Sequence, residues 1–120
     1  MIDVRNIVKH YDRGLVKALN GVTFSVARGE FVALMGPSGC GKSTLFNLIG
    51  ALDRPTSGEV RVEGRPVTSI TPLHRFRAET IGFVFQFHHL IPALTLLENV
   101  ELPMYTLPLG TRARRDRALA

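Results

Sequence analysis

The sequence predicts an α/β fold on a partly parallel sheet, and three observations predict it. Two unbroken apolar runs, Phe31–Met35 and Ile81–Phe85, have the length and composition of central strands covered on both faces. The first run stops abruptly in Gly36-Pro37-Ser38-Gly39-Cys40-Gly41, a stretch that neither helix nor strand tolerates. Directly after it, Leu45, Leu48 and Ile49 recur at helical spacing, so strand, glycine loop and helix follow in order.

The elements can be taken from the N-terminus. Ile2 to Val8 reads as a strand with imperfect alternation. Val22, Phe24 and Val26 alternate with Thr23 and Ser25, which gives a half-buried strand, and Ala27–Glu30 turns the chain. After the run Phe31–Met35, a helix is expected from Lys42 to about Ala51, then a loop over Asp53–Gly58. Val60 and Val62 alternate in a short strand closed by Gly64-Arg65-Pro66. Thr71 followed by Pro72 reads as a helix start, with the hydroxyl as cap and proline at the first helical position. Thr95-Leu96-Leu97-Glu98 is a capping box that opens another helix, which Pro103 should end or bend. Thr111 is expected to cap a last helix.

Composition excludes several function classes. At 120 residues there is room for one modest domain, and 45% hydrophobic with 21% charged residues is ordinary for a soluble globular chain. The single cysteine, Cys40, excludes an internal disulfide and fits a reducing compartment. The N-terminus lacks the basic start and apolar core of a secretory signal. Thr80 to Leu97 carries no acidic or basic residue, but Gly82, Gln86, His88, His89 and Pro92 interrupt it, so it reads as strand and loop rather than a spanning helix. The net charge of +5 is concentrated: residues 111–120 hold Arg112, Arg114, Arg115 and Arg117 against Asp116, which leaves only +2 on the other 110 residues. A solvated basic helix explains this, and no nucleic-acid partner is expected. His88 and His89 are adjacent, so their side chains diverge, and joint ligation of one metal is not expected.

The glycine loop carries the chemistry. Gly36-x-x-x-x-Gly41-Lys42-Ser43 satisfies every fixed position of a phosphate-binding loop, whereas its glycine spacing does not fit the dinucleotide pattern. Glycines let successive backbone N–H groups converge on phosphate, and the following helix adds the positive end of its dipole. Lys42 would set an ammonium against the β- and γ-phosphates, Ser43 would offer its hydroxyl to Mg²⁺, and Thr44 with the first helical amides would hold the α- and β-phosphates.

The nine residues Gly36-Pro37-Ser38-Gly39-Cys40-Gly41-Lys42-Ser43-Thr44 resemble the Walker A motif of ATP-binding-cassette proteins. Three further stretches narrow the resemblance. Tyr11, Ala18–Val26 and Arg28-Gly29-Glu30-Phe31 look like that family's opening antiparallel strands. Leu52–Val60 resembles its linking segment, and Ile81-Gly82-Phe83-Val84-Phe85-Gln86 looks like the strand that ends in the Q-loop glutamine. Phe85–Thr95 with Leu97–Pro103 is similar to the subgroup of lipoprotein-releasing and macrolide-exporting transporter ATPases.

The resemblance implies a P-loop nucleoside triphosphate hydrolase fold with an N-terminal antiparallel β segment, ATP and Mg²⁺ as cofactors, and ATP-driven export or lipoprotein release. It implies that Tyr11 stacks on adenine, that Gly36 to Thr44 hold the phosphates, and that Lys42 and Gln86 serve hydrolysis. Ser43 and Gln86 would reach the metal. Phe87–Leu97 would receive a transmembrane permease subunit, and a second ATPase subunit would complete a dimer. The implied location is cytoplasmic, peripheral on the inner face of the cell membrane. Cys40 sits at a variable loop position and reads as a spectator, though the helix end could make it reactive.

The family's signature motif, Walker B strand with its acidic pair, and switch histidine all belong beyond the equivalent of residue 120. Asp116 lies in a basic helical stretch, and His10, His74, His88 and His89 all come too early. The 120 residues are therefore expected to form the first part of a nucleotide-binding domain, with A-loop, Walker A and Q-loop present and an incomplete core. Such a chain should bind ATP without turning it over. The alternatives are a nucleotide-binding module that never hydrolyses, a gene remnant, or a cassette protein outside transport.

Overall fold

The computed structural model describes residues 1–87 and 89–120, which divide into two compact units, Met1–Ile70 and Thr71–Ala120.

The first unit is built on a four-stranded sheet in the order β2-β1-β3-β4, comprising β1 (Ile2–Tyr11), β2 (Val16–Val26), β3 (Ser57–Val62) and β4 (Arg65–Pro66). Every pairing is antiparallel. This is the antiparallel β segment the sequence anticipates, with β2 starting six residues before Val22. The imperfect alternation of β1 has a specific cause. Its register shifts between Val4 and Ile7 against β2 and between Arg5 and Val8 against β3, around Asn6, which adopts a positive φ and whose N–H donates to Thr23 Oγ1 at 2.8 Å. The bulge flips the side-chain phase, so Val4 and Ile7 both point inward and both are fully buried. Opposite the bulge Gly58 has φ +87°, and a Cβ there would collide with the Asn6 carbonyl oxygen.

Helix α1 (Lys42–Ile49) lays Leu45 and Leu48 on the sheet with Leu19, Val60, Val62 and Val67, which closes a small core. It ends in a Schellman closure, with Leu52 N–H donating to Asn47 O at 2.8 Å and Ala51 N–H to Leu48 O at 3.2 Å.

The second unit holds α2 (Leu73–Thr80), α3 (Leu96–Glu101), a 3₁₀ turn over Leu102–Thr106 that contains Pro103, and α4 (Thr111–Leu119). The Thr95–Glu98 capping box forms as anticipated, since Glu98 N–H donates to Thr95 Oγ1 while Thr95 N–H donates to the Glu98 carboxylate. Two expected helix starts shift by one residue. Pro72 is extended and α2 begins at Leu73 with no side-chain cap, so Thr71 does not cap it and Pro72 is not its first helical residue. Thr111 is the first residue of α4, with Gly110 in the cap position.

The larger correction concerns the two apolar runs. Neither Phe31–Met35 nor Ile81–Phe85 is a strand, and among the described residues no parallel pair forms. A strand covered on both faces needs a ladder partner and a layer on each side. Here the runs have neither: Phe31 is 94% exposed and Met35 88%.

Candidate phosphate-loop site

The first unit assembles the glycine loop between the run 31–35 and α1. Gly39 and Gly41 have φ of +79° and +92°, the left-handed conformation that only glycine adopts without strain. Gly41 also packs against β2: a Cβ there would run into the Ala18 carbonyl oxygen and stand 2.9 Å from Leu19 Cδ2. The loop is thus fitted to the sheet by a position with no room for a side chain. The first intrahelical bond of α1 is Leu45 N–H to Gly41 O at 2.9 Å. The amides of Lys42, Ser43 and Thr44 precede it, so their N–H groups open toward the loop.

Lys42 folds back over this loop. Its ammonium donates to the carbonyls of Gly36 and Pro37 at 2.7 Å each and lies 3.4 Å from Cys40 Sγ. Cys40 N–H also donates to Pro37 O at 3.4 Å, which tightens the turn. The result is a concave run of backbone with a helix N-terminus behind it, an ammonium at its mouth, and the exposed Ser43 residue beside it. These groups fit a polyphosphate. The lysine already donates charge-assisted hydrogen bonds to neutral carbonyl oxygens, so arrival of phosphate exchanges them for stronger bonds to an anion.

Tyr11 lies at the end of β1, where the sequence reading expects an adenine-stacking ring, but its neighbours come from elsewhere. Its hydroxyl donates to Asp53 Oδ2 at 2.9 Å, and the Lys9 ammonium stands 4.7 Å from the ring centroid. Asp53 also accepts from Lys9 Nζ at 2.8 Å and from the Arg54 amide at 2.7 Å. The hydrogen bond from Lys9 above all holds the Asp53 carboxyl below its ordinary value of 3.8, with partial burial opposing and the Arg54 amide and Tyr11 hydroxyl assisting. Lys9 and Asp53 did not emerge from the sequence. Lys9 lies two residues from Tyr11 on the same strand face, a usable signal; Asp53, 42 residues from Tyr11, gives none.

In the second unit, Gln86 is exposed in the bend after the run 81–85. In that run Phe83 and Phe85 stack with centroids 5.4 Å apart, and His89 meets the Phe85 ring edge-on at 4.8 Å. His88 lies outside the described residues, and among those described no group of three metal-ligating side chains forms.

The segment from Phe87 to Leu97 leaves Phe87, Leu90, Ile91 and Leu96 exposed, so they are not core. Asn99 pins this segment: its amide donates to Ile91 O, Leu94 O and Thr95 O while its Oδ1 accepts from Ile91 N–H at 2.8 Å. Asn99 thereby reproduces a backbone-like pair with Ile91, another contact the sequence did not announce. Among the described residues no helix is long and apolar enough to cross a membrane.

Known proteins resemble this arrangement throughout. The ABC transporter family model matches residues 19–120. The lipoprotein-releasing system ATP-binding protein LolD of Anaeromyxobacter dehalogenans is 55% identical over 107 residues, covering 86% of this chain and 45% of that protein. The macrolide export ATP-binding/permease protein MacB of Hyphomonas neptunium is 42% identical, covering 98% of this chain and 19% of that protein. The dimeric ADP- and Pi-bound structure of the ATP-binding cassette MJ0796, an ABC transporter ATP-binding protein of Methanocaldococcus jannaschii, superposes with a TM-score of 0.87 at 44% identity, covering 99% of this chain and 54% of that one. The chain spans about half the length of the ATP-binding proteins it matches.

Proposed function

We propose that this chain, which belongs to the ABC transporter family, is the MgATP-binding portion of a transporter ATPase subunit, comprising the A-loop, Walker A and Q-loop part of its nucleotide-binding domain. The observation that carries the reading is the loop itself, with left-handed glycines at 39 and 41, a helix N-terminus behind them and the Lys42 ammonium held at its mouth.

In this reading Gly36, Pro37, Ser38, Gly39, Cys40 and Gly41 supply the backbone cradle. Lys42 neutralises the β- and γ-phosphates, and Thr44 with the first helical amides holds the α- and β-phosphates. Ser43 offers its hydroxyl to Mg²⁺, which when bound neutralises charge building on the transferred phosphoryl group. Tyr11 would receive adenine, and Gln86 would reach Mg²⁺ or the attacking water.

Relatives named for lipoprotein release and macrolide export support coupling to that class of transport. The permease fused in one relative and the dimeric cassette support two partners: a transmembrane permease docking on Phe87–Leu97, and a second ATPase subunit. Within that assembly the ATPase subunits sit in the cytoplasm, peripheral on the inner face of the membrane. Phosphoryl transfer to water needs positioned charge and an oriented nucleophile, of which the phosphate loop supplies only part, so residues 1–120 alone are expected to bind ATP without turning it over.

The test is calorimetry with MgATP on the 120-residue chain and on Lys42→Ala. Losing a hydrogen-bonded charge partner of phosphate costs about 2–5 kcal/mol, roughly thirtyfold or more in Kd. Equal affinity in the two proteins would remove the phosphate-loop assignment. Phosphate release run alongside should match the Lys42→Ala background, and Lys42-dependent turnover would show that a base lies within these residues.

A further inference from the structure

Resting on the nucleotide-site reading, we propose that Asp53 and Lys9 are positioning residues for the base end of that site: together they fix Tyr11 so that one ring face carries a cation and the other receives a purine base. The two residues flank the ring differently. Asp53 takes the Tyr11 hydroxyl at 2.9 Å, which sets the ring's long axis. Lys9 covers one face at 4.7 Å from the centroid and is itself tethered by Asp53 Oδ1 and by the Arg54 carbonyl, both at 2.8 Å. With two oxygen acceptors holding it, the ammonium cannot leave the ring without breaking an ion pair. Its side chain is only 12% exposed.

A base can therefore approach Tyr11 on one side only, and it meets a ring already immobilised. An unrestrained tyrosine at the surface would lose rotamer freedom on stacking, and here that loss is taken on folding instead.

The placement of Asp53 also joins the two ends of the site through one helix. Helix α1 begins at the phosphate loop with Lys42 and ends in the Schellman closure at Ala51 and Leu52. The amide of Asp53 donates to Asn47 O at 3.2 Å, so the same helix terminus that ends α1 fixes the carboxylate that holds Tyr11. Lys9 in turn lies opposite Leu19 in the β1–β2 ladder, and Leu19 packs against Gly41 of the loop. Base end and phosphate end are thus tied through both α1 and β2.

The experiment separates the ends by ligand. Affinities for MgATP and for magnesium tripolyphosphate, which has no base, are measured for the parent, Asp53→Ala, Tyr11→Phe and the double variant. Loss of one hydrogen bond that positions the ring should weaken ATP about three- to tenfold in each single variant, with tripolyphosphate unchanged. The double variant should be no worse than the weaker single, because both remove the same link. Tyr11→Phe keeps ring and fold, so it reports even where Asp53→Ala folds poorly. Unchanged ATP affinity in Tyr11→Phe, or equal loss for ATP and tripolyphosphate in both single variants, would overturn the positioning role while leaving the phosphate loop standing. A parent that binds neither ligand would overturn the nucleotide site and this inference with it.

Discussion

Replacing Gly41 with alanine tests whether the loop is fitted to the sheet as described. Two costs add. The backbone at φ +92° is left-handed, which costs a Cβ-bearing residue about 1–2 kcal/mol. The new methyl would also meet the Ala18 carbonyl oxygen and Leu19 Cδ2, and the carbonyl belongs to a hydrogen-bonded strand that cannot yield as a side-chain tip can. Overpacking of that kind costs about 1–3 kcal/mol, for a total of about 2–5 kcal/mol. Gly39→Ala is the control. Its φ is +79° but no atom lies within 4 Å of the added Cβ, so only the backbone cost of about 1–2 kcal/mol applies. Urea unfolding followed by circular dichroism should rank parent, Gly39→Ala and Gly41→Ala in falling stability. If the two variants unfold within about 0.5 kcal/mol of each other, smaller than the overpacking cost, then the contact between loop and β2 is not as described.

Two other outcomes follow from the same geometry. Alkylation of Cys40, the sole thiol, should slow when MgATP is present and change little with adenosine, which lacks phosphates; equal protection by both, or by neither, would place the nucleotide elsewhere. Asp53 has its folded pKa depressed below 3.8, so its stabilising contribution is present above that value and fades as pH falls through the folded pKa. The stability gap between the parent and Asp53→Asn should therefore be full at neutral pH and shrink in acid, and a gap independent of pH from 7 to about 2 would contradict the ion pair with Lys9.

What the sequence disclosed was local. The glycine loop, the Thr95–Glu98 box and the start of α1 each depend on contacts within a few residues, and all three form where expected. The first strands are legible through alternation and their antiparallel pairing through the family resemblance, and the imperfect alternation of β1 does not reveal the bulge at Asn6 that causes it. The two apolar runs have the composition of buried strands yet are not strands, because burial depends on the layers around a segment and not on its own composition. Tyr11 was found through its resemblance to a known motif. Its restraint by Asp53 spans 42 residues and no pattern in the chain marks it.

The carboxylates of the first unit stand apart from the phosphate loop of the proposed site. Asp3 pairs with Arg5, Glu59 with Arg61, Glu63 with the N-terminal ammonium, and Asp53 with Lys9, while Glu30 accepts from the Ala27 amide. Asp12 sits in the exposed turn between β1 and β2. Most of these acids are thus held by cations or amides of the sheet and its turns, none of which belongs to residues 36–44. The phosphate loop needs no carboxylate to bind: amides, a helix terminus and one ammonium suffice, and all come from nine consecutive residues. Orienting a water needs an acceptor brought to the γ-phosphate from another strand, and such a group must be supplied by the fold at large. In the proposed reading the chain holds the nucleotide through residues 36–44, while most acids of the first unit are paired away from that loop.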